Sequence, residues 1–64
     1  MPVIVVRLLE GRTQDQKRQL TKIISEAVSR IADTPLDGVH VIFEDIPRSC
    51  WGRGGLLFSD RDPR

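Results

Sequence analysis

The chain has 64 residues, and its ten Lys and Arg against nine Asp and Glu leave a net charge near +1. That balance excludes bulk electrostatic binding to nucleic acid or to an anionic membrane, and the length allows one domain. With one cysteine and one histidine, the chain forms neither an internal disulfide nor a zinc site, so oligomerisation is the expected support for so small a fold.

The first predicted element is a strand over residues 3–9, "VIVVRLL". This run is apolar and β-branched with little alternation, which is typical of a strand buried on both faces. Pro2 has no backbone N–H to donate, and it therefore suits the start of a strand. If Met1 is removed, however, Pro2 carries a free secondary amine at the end of a rigid strand.

The second predicted element is a helix that begins at Thr13. Thr13 followed by Gln16 forms a capping box, and Pro35 ends the helix near Ala32 or Asp33. Apolar residues then recur at steps of three and four, which predicts one apolar face of a helix of about five turns. These residues are Leu20, Ile23, Ile24, Ala27, Val28 and Ile31.

A second strand is predicted over residues 39–45, "VHVIFED". Alternation places two sets of side chains on opposite faces. These sets are Val39, Val41 and Phe43 on one side and His40, Ile42 and Glu44 on the other. Strand, helix and strand with short loops predict a β-α-β unit with parallel strands. Three glycines after Pro47 predict a hairpin or a bulge.

The predicted fold class is therefore α/β (α+β), a single domain over residues 1–64 whose charged end, 58–64, is expected to be a flexible tail. One helix covers only one face of a two-stranded sheet, and such a sheet is not stable alone. We expect other subunits to cover the second face. The sequence also shows neither a signal peptide nor a transmembrane run, and with a free cysteine this predicts a cytoplasmic protein.

Several motifs in order resemble the small 4-oxalocrotonate tautomerases of the tautomerase superfamily. They are Pro2 directly after Met1, "LLEGRT" followed by "DQK", "TPL" before the second strand, and "WGRGG" near the end. The resemblance implies a tautomerase-like β-α-β fold with a C-terminal hairpin, in which dimers form four-stranded sheets and usually three dimers form a homo-hexamer. It also implies a small carboxylate substrate, an amino-terminal proline as base, and no metal or other cofactor.

The resemblance implies roles for four residues. Pro2 is the general base, and to act near neutral pH the pKa of its amine must be lowered by desolvation or by nearby cations. Arg12 binds a substrate carboxylate, since its guanidinium suits a bidentate pair beside a helix start. Trp51 and Leu9 supply apolar walls of the pocket. Each of these residues also fits an ordinary structural role.

His40 departs from the family pattern, which has a substrate-binding arginine at this position. His40 is a candidate substrate-binding residue in its place, because a neutral imidazole can donate one hydrogen bond. It carries no permanent charge, so turnover of a 2-hydroxydienoate dicarboxylate is in doubt. Arg48 and Arg53 flank Trp51, and either of them is a candidate replacement for the missing cation. Cys50, beside Trp51, is interpreted as a bystander thiol.

The leading functional hypothesis is a cofactor-independent isomerase of the keto-enol tautomerase type, acting on a 2-hydroxydienoate, enol or keto acid. A second hypothesis is a dehalogenase or hydratase in which a carboxylate activates water, with Glu44 as the candidate. A third is one subunit type of a hetero-hexamer whose partner supplies the missing arginine. The fourth is a non-catalytic binding homologue.

Overall fold

The computed structural model describes residues 1–61 and shows the predicted β-α-β unit followed by a hairpin. Its main elements are β1 (Val3–Leu9), α1 (Gln14–Ile31), β2 (His40–Ile46), β3 (Gly52–Arg53), β4 (Leu56–Leu57) and α2 (Phe58–Arg61). Short 3₁₀ turns at Leu36–Gly38 and Arg48–Cys50 precede β2 and β3. Residues 58–61 of the expected tail thus form α2, and the rest of that segment lies outside the described residues.

The helix begins where the sequence predicts. The Gln16 backbone N–H donates to Thr13 Oγ1 at 3.1 Å, and the Thr13 backbone N–H donates to Gln16 Oε1 at 2.9 Å. This reciprocal pair satisfies two donors at the helix start. The helix is capped at Ala32, and Asp33 then has a φ of 53°. The left-handed turn at Asp33 directs the chain toward β2.

β1 and β2 are parallel, and their register places Val3 beside His40 and Leu9 beside Ile46. Ile4, Val6, Val41 and Phe43 form the half-buried face that packs against α1. A second set of side chains lies on the opposite face, which is exposed in the single chain. We call it the open face: Val3, Val5, Arg7, His40, Ile42 and Glu44.

The hairpin is closed by two glycines. β3 and β4 are antiparallel and pair Gly52 with Leu57 and Arg53 with Leu56. Gly54 and Gly55 between them have φ values of 61° and 82°. Positive φ at both central residues matches the twist of a two-residue hairpin, and glycine adopts it without steric cost. The predicted C-terminal hairpin is confirmed.

Candidate active site

Pro2 is anchored by its backbone to the start of the sheet. Its carbonyl oxygen accepts a hydrogen bond from the His40 backbone N–H at 2.9 Å. Met1 before it is 89% exposed. Removal of Met1 would therefore free the Pro2 amine at a fixed position without taking away a packed side chain.

His40 lies next to Pro2 along the edge where both strands begin. It is the register partner of Val3 and is exposed on the open face, where Ile42 follows it on the same side. An imidazole here is available to a molecule that approaches this face. Its predicted role in substrate binding stays a prediction.

The other predicted site residues lie at the opposite end of the sheet. Leu9 ends β1 beside Ile46, and Arg12 follows in the exposed loop before α1. Trp51 follows the 3₁₀ turn that comes after β2. A seven-residue strand is roughly 20 Å long. One chain therefore holds Pro2 and His40 at one end of the sheet and Leu9, Arg12 and Trp51 at the other.

A concavity of about 260 Å³ lies at the Trp51 end of the sheet. It is lined by Arg7, Ile46, Cys50, Trp51 and Gly52. The Trp51 ring packs against Phe58, with the two ring centroids 5.9 Å apart. The Phe58 backbone N–H also donates to the Trp51 carbonyl at 2.8 Å. We call this concavity the Trp51 concavity. Its lining includes both an aromatic ring and a guanidinium.

The guanidinium of the Trp51 concavity belongs to Arg7, which sequence reasoning missed. Arg7 Nε donates to Glu44 Oε1 at 2.6 Å across the strand pair. The parallel register of β1 and β2 sets Arg7 and Glu44 side by side. Neither strand's own sequence indicates this ion pair, because it depends on how the two strands are aligned.

The predicted replacement cations, Arg48 and Arg53, are directed at Phe58 instead. Their guanidinium carbons lie 5.6 and 5.4 Å from the centroid of the Phe58 ring. Arg48 also donates through Nη2 to the Phe58 carbonyl at 3.2 Å. Both arginines thus help to hold the C-terminal segment, and neither lines the Trp51 concavity.

A larger concavity of about 360 Å³ lies between α1 and β2. It is lined by Gln14, Lys17, Arg18, Thr21, Lys22, Val41 and Phe43, and none of these is a predicted site residue. Lys17, at its margin, is ion-paired with Asp45.

Within residues 1–61, no three His, Cys, Asp or Glu side chains come together as a possible metal site. Over the same residues, no helix is long and apolar enough to cross a membrane.

Comparison with known proteins gives one consistent answer. A family model described as "Tautomerase enzyme" matches residues 2–61, so the match begins at Pro2. A probable tautomerase of Listeria monocytogenes is 40% identical over 60 residues, which cover 94% of this chain and 98% of that protein.

Solved structures agree in fold. The crystal structure of a 4-oxalocrotonate tautomerase homologue has a TM-score of 0.90 at 43% identity, covering 94% of this chain and 95% of that chain. A heterohexamer 4-oxalocrotonate tautomerase from Chloroflexus aurantiacus has a TM-score of 0.87 at 32% identity, covering 94% of this chain and 97% of that one. The fold expected from the sequence is thereby confirmed.

Proposed function

Because this chain belongs to the tautomerase family, we propose that it is a keto-enol tautomerase that uses Pro2, freed of Met1, as general base. Family membership supports tautomerase, and hence isomerase, activity. The proposed substrate is a 2-hydroxydienoate, enol or keto acid. The observation that carries this proposal is that the family match starts at Pro2 and the backbone fixes Pro2 to the sheet.

The proposed reaction moves one proton and changes no oxidation state. The neutral Pro2 amine takes the proton from the enol hydroxyl, and the electron pair of the O–H bond forms the carbonyl as the double bond shifts. The conjugate acid of Pro2 then delivers a proton to the carbon that has gained electron density. The amine returns to its neutral form, so one group serves first as base and then as acid.

A complete site requires a second copy of the chain. Pro2 and the pair of Arg12 and Trp51 are separated by the length of β1, so a single chain leaves the base without an anchor for the substrate carboxylate. β1 pairs with β2 along one edge, and its other edge has no strand partner within the described residues. An antiparallel copy on that edge places Pro2 of one protomer at the Trp51 end of the other.

This arrangement also gives physical reasons for a base that works near neutral pH. Burial between two copies desolvates the amine and disfavours its charged form, which lowers the pKa of the Pro2 amine. The Arg12 guanidinium of the other copy acts in the same direction, because like charges repel. Arg12 would also bind the substrate carboxylate through paired N–H donors.

A hetero-oligomer is the second candidate, and the His40 position favours it. One solved relative is a heterohexamer, and a partner chain with an arginine at this position would supply the charge that His40 lacks. The hydratase or dehalogenase alternative has less support, because its candidate carboxylate, Glu44, is ion-paired with Arg7.

The test compares two preparations whose identity is verified by intact mass. One has Met1 removed, and the other carries a single extra glycine before Pro2, which turns the amine into an amide. We expect the first to ketonise phenylenolpyruvate at a rate that rises with pH as the amine loses its proton. The glycine-extended protein should be inactive. Pro2→Ala keeps a terminal amine, but a primary one with different basicity and geometry, and its reaction should be strongly slowed.

Sedimentation of all three proteins provides the folding control, and each should assemble like the others. Equal activity in the processed and glycine-extended proteins would refute Pro2 as the base. An inactive processed protein, tested on monocarboxylate and dicarboxylate enols, would refute the tautomerase proposal.

A further inference from the structure

We propose that the Trp51 concavity is a carboxylate-binding subsite in which Arg7 is the cation and Glu44 sets its strength. This inference deepens the proposed function, because it adds a cation beside Trp51 that the family resemblance does not assign. It rests on that function for its role in turnover, and its binding test is independent of turnover.

Location gives the first reason. Arg7 and Trp51 line the same concavity of about 260 Å³. A molecule that places an apolar body against Trp51 therefore lies within reach of the Arg7 side chain. The two predicted alternatives, Arg48 and Arg53, are directed at the Phe58 ring instead.

The geometry of the ion pair gives the second reason. The contact with Glu44 uses Nε of Arg7, and within residues 1–61 the two terminal nitrogens of Arg7 donate no hydrogen bond. A guanidinium has five N–H donors in a planar fork. Glu44 therefore holds the side chain in place while donors remain for a carboxylate on the Trp51 side.

The electrostatics predict how Glu44 acts. Its carboxylate opposes the positive charge of Arg7, so a second carboxylate binds more weakly than it would to an isolated arginine. In the single chain the Arg7 and Glu44 side chains are 67% and 46% exposed, and exposed pairs are weak. A second copy over the open face would exclude water and strengthen every charge interaction there.

Binding can be read directly because Trp51 is the sole tryptophan and the chain has no tyrosine. Benzoate, an aromatic monocarboxylate, is titrated into the assembled protein while Trp51 fluorescence is followed. Benzamide has nearly the same shape without the charge and serves as the matched ligand control. We expect a saturable response to benzoate and a much weaker one to benzamide.

Two variants separate a binding role from a merely structural one. Arg7→Gln should weaken benzoate binding about tenfold or more, the size expected for a lost charged hydrogen bond. Glu44→Gln should strengthen it a few-fold, because the guanidinium loses its opposing charge. Both variants break the same ion pair, so a structural role would move both in the same direction.

Opposite shifts in the two variants support the proposal. Shifts in one direction, equal responses to benzoate and benzamide, or no response at all would overturn it. Sedimentation and circular dichroism verify assembly, and if Arg7→Gln fails to assemble, Glu44→Gln with Arg7→Lys decides the question. An active enzyme without benzoate binding refutes this subsite alone, whereas benzoate binding by an inactive enzyme refutes only the proposed reaction.

Discussion

The imidazole of His40 lies at the edge of the sheet where both strands begin, next to Pro2, the proposed base. Its backbone N–H is committed to the Pro2 carbonyl, while its side chain is exposed on the open face. An imidazole and a guanidinium at this point differ in permanent charge and in the number of donors. A substitution at residue 40 should therefore change the substrate preference more than it changes the fold.

His40→Arg should raise turnover of a 2-hydroxydienoate dicarboxylate by roughly tenfold, the lower end expected for one added charged hydrogen bond. Steady-state rates on the dicarboxylate and on phenylenolpyruvate measure the change, and only the dicarboxylate should gain. His40→Gln, which keeps hydrogen bonding without charge, is the control and should show no gain. An unchanged dicarboxylate rate in His40→Arg would mean that another cation already has this role.

Candidate roles could be assigned to residues from the sequence only where a motif carried them. Pro2, Arg12 and Trp51 stand in recognisable strings, whereas Arg7 is an ordinary strand residue until the register sets Glu44 beside it. Arg48 and Arg53 were selected for nearness to Trp51 along the chain. In space their guanidiniums lie near Phe58, which no local pattern connects to them.

At the scale of elements, local chemistry predicted most boundaries. β1 spans the predicted residues 3–9, and the capping box starts α1. β2 begins at His40, one residue later than predicted, because the Val39 N–H is used by the Leu36 carbonyl in the preceding 3₁₀ turn. The short helix α2 was missed because its four residues carry no periodic pattern.

The helix start offers a direct stability test. Thr13→Ala removes the side-chain acceptor of the capping box, and we expect the free energy of unfolding to fall by about 1 kcal/mol. Gln14→Ala, one residue further on and outside the cap pair, is the matched control and should change little. Urea unfolding followed by circular dichroism measures both. Equal losses in the two variants would show that the cap contributes nothing of its own.

At the scale of the molecule, the single chain has no interior. None of residues 1–61 is buried, and both the open face and α1 expose large apolar side chains, such as Val5, Ile42 and Ile23 at 45%, 48% and 64%. The Cα radius of gyration is 15.0 Å, against about 11 Å for a compact domain of this length. A chain of this shape without buried residues is what we expect of a subunit whose apolar faces other copies cover.

Val5→Lys should break up this assembly. Val5 and Ile42 are register partners on the open face, so a charge at residue 5 would have to be buried between copies. We expect a hexamer for the parent and a smaller species for the variant in sedimentation velocity at micromolar concentration. Gln19→Lys adds the same charge on the exposed side of α1 and should leave the assembly intact. A parent that sediments as a sharp 7.3 kDa monomer would contradict the expectation.

The absence of buried residues in residues 1–61 has a consequence for how substitutions would act in the proposed assembly. In most proteins a core substitution and an interface substitution are separate events. In an assembly of identical copies of this chain they would coincide, because the open face would serve as core and interface together, and each substitution would be repeated in every copy. We therefore expect a change at one open-face position to alter which chains assemble before it alters the fold of the single chain.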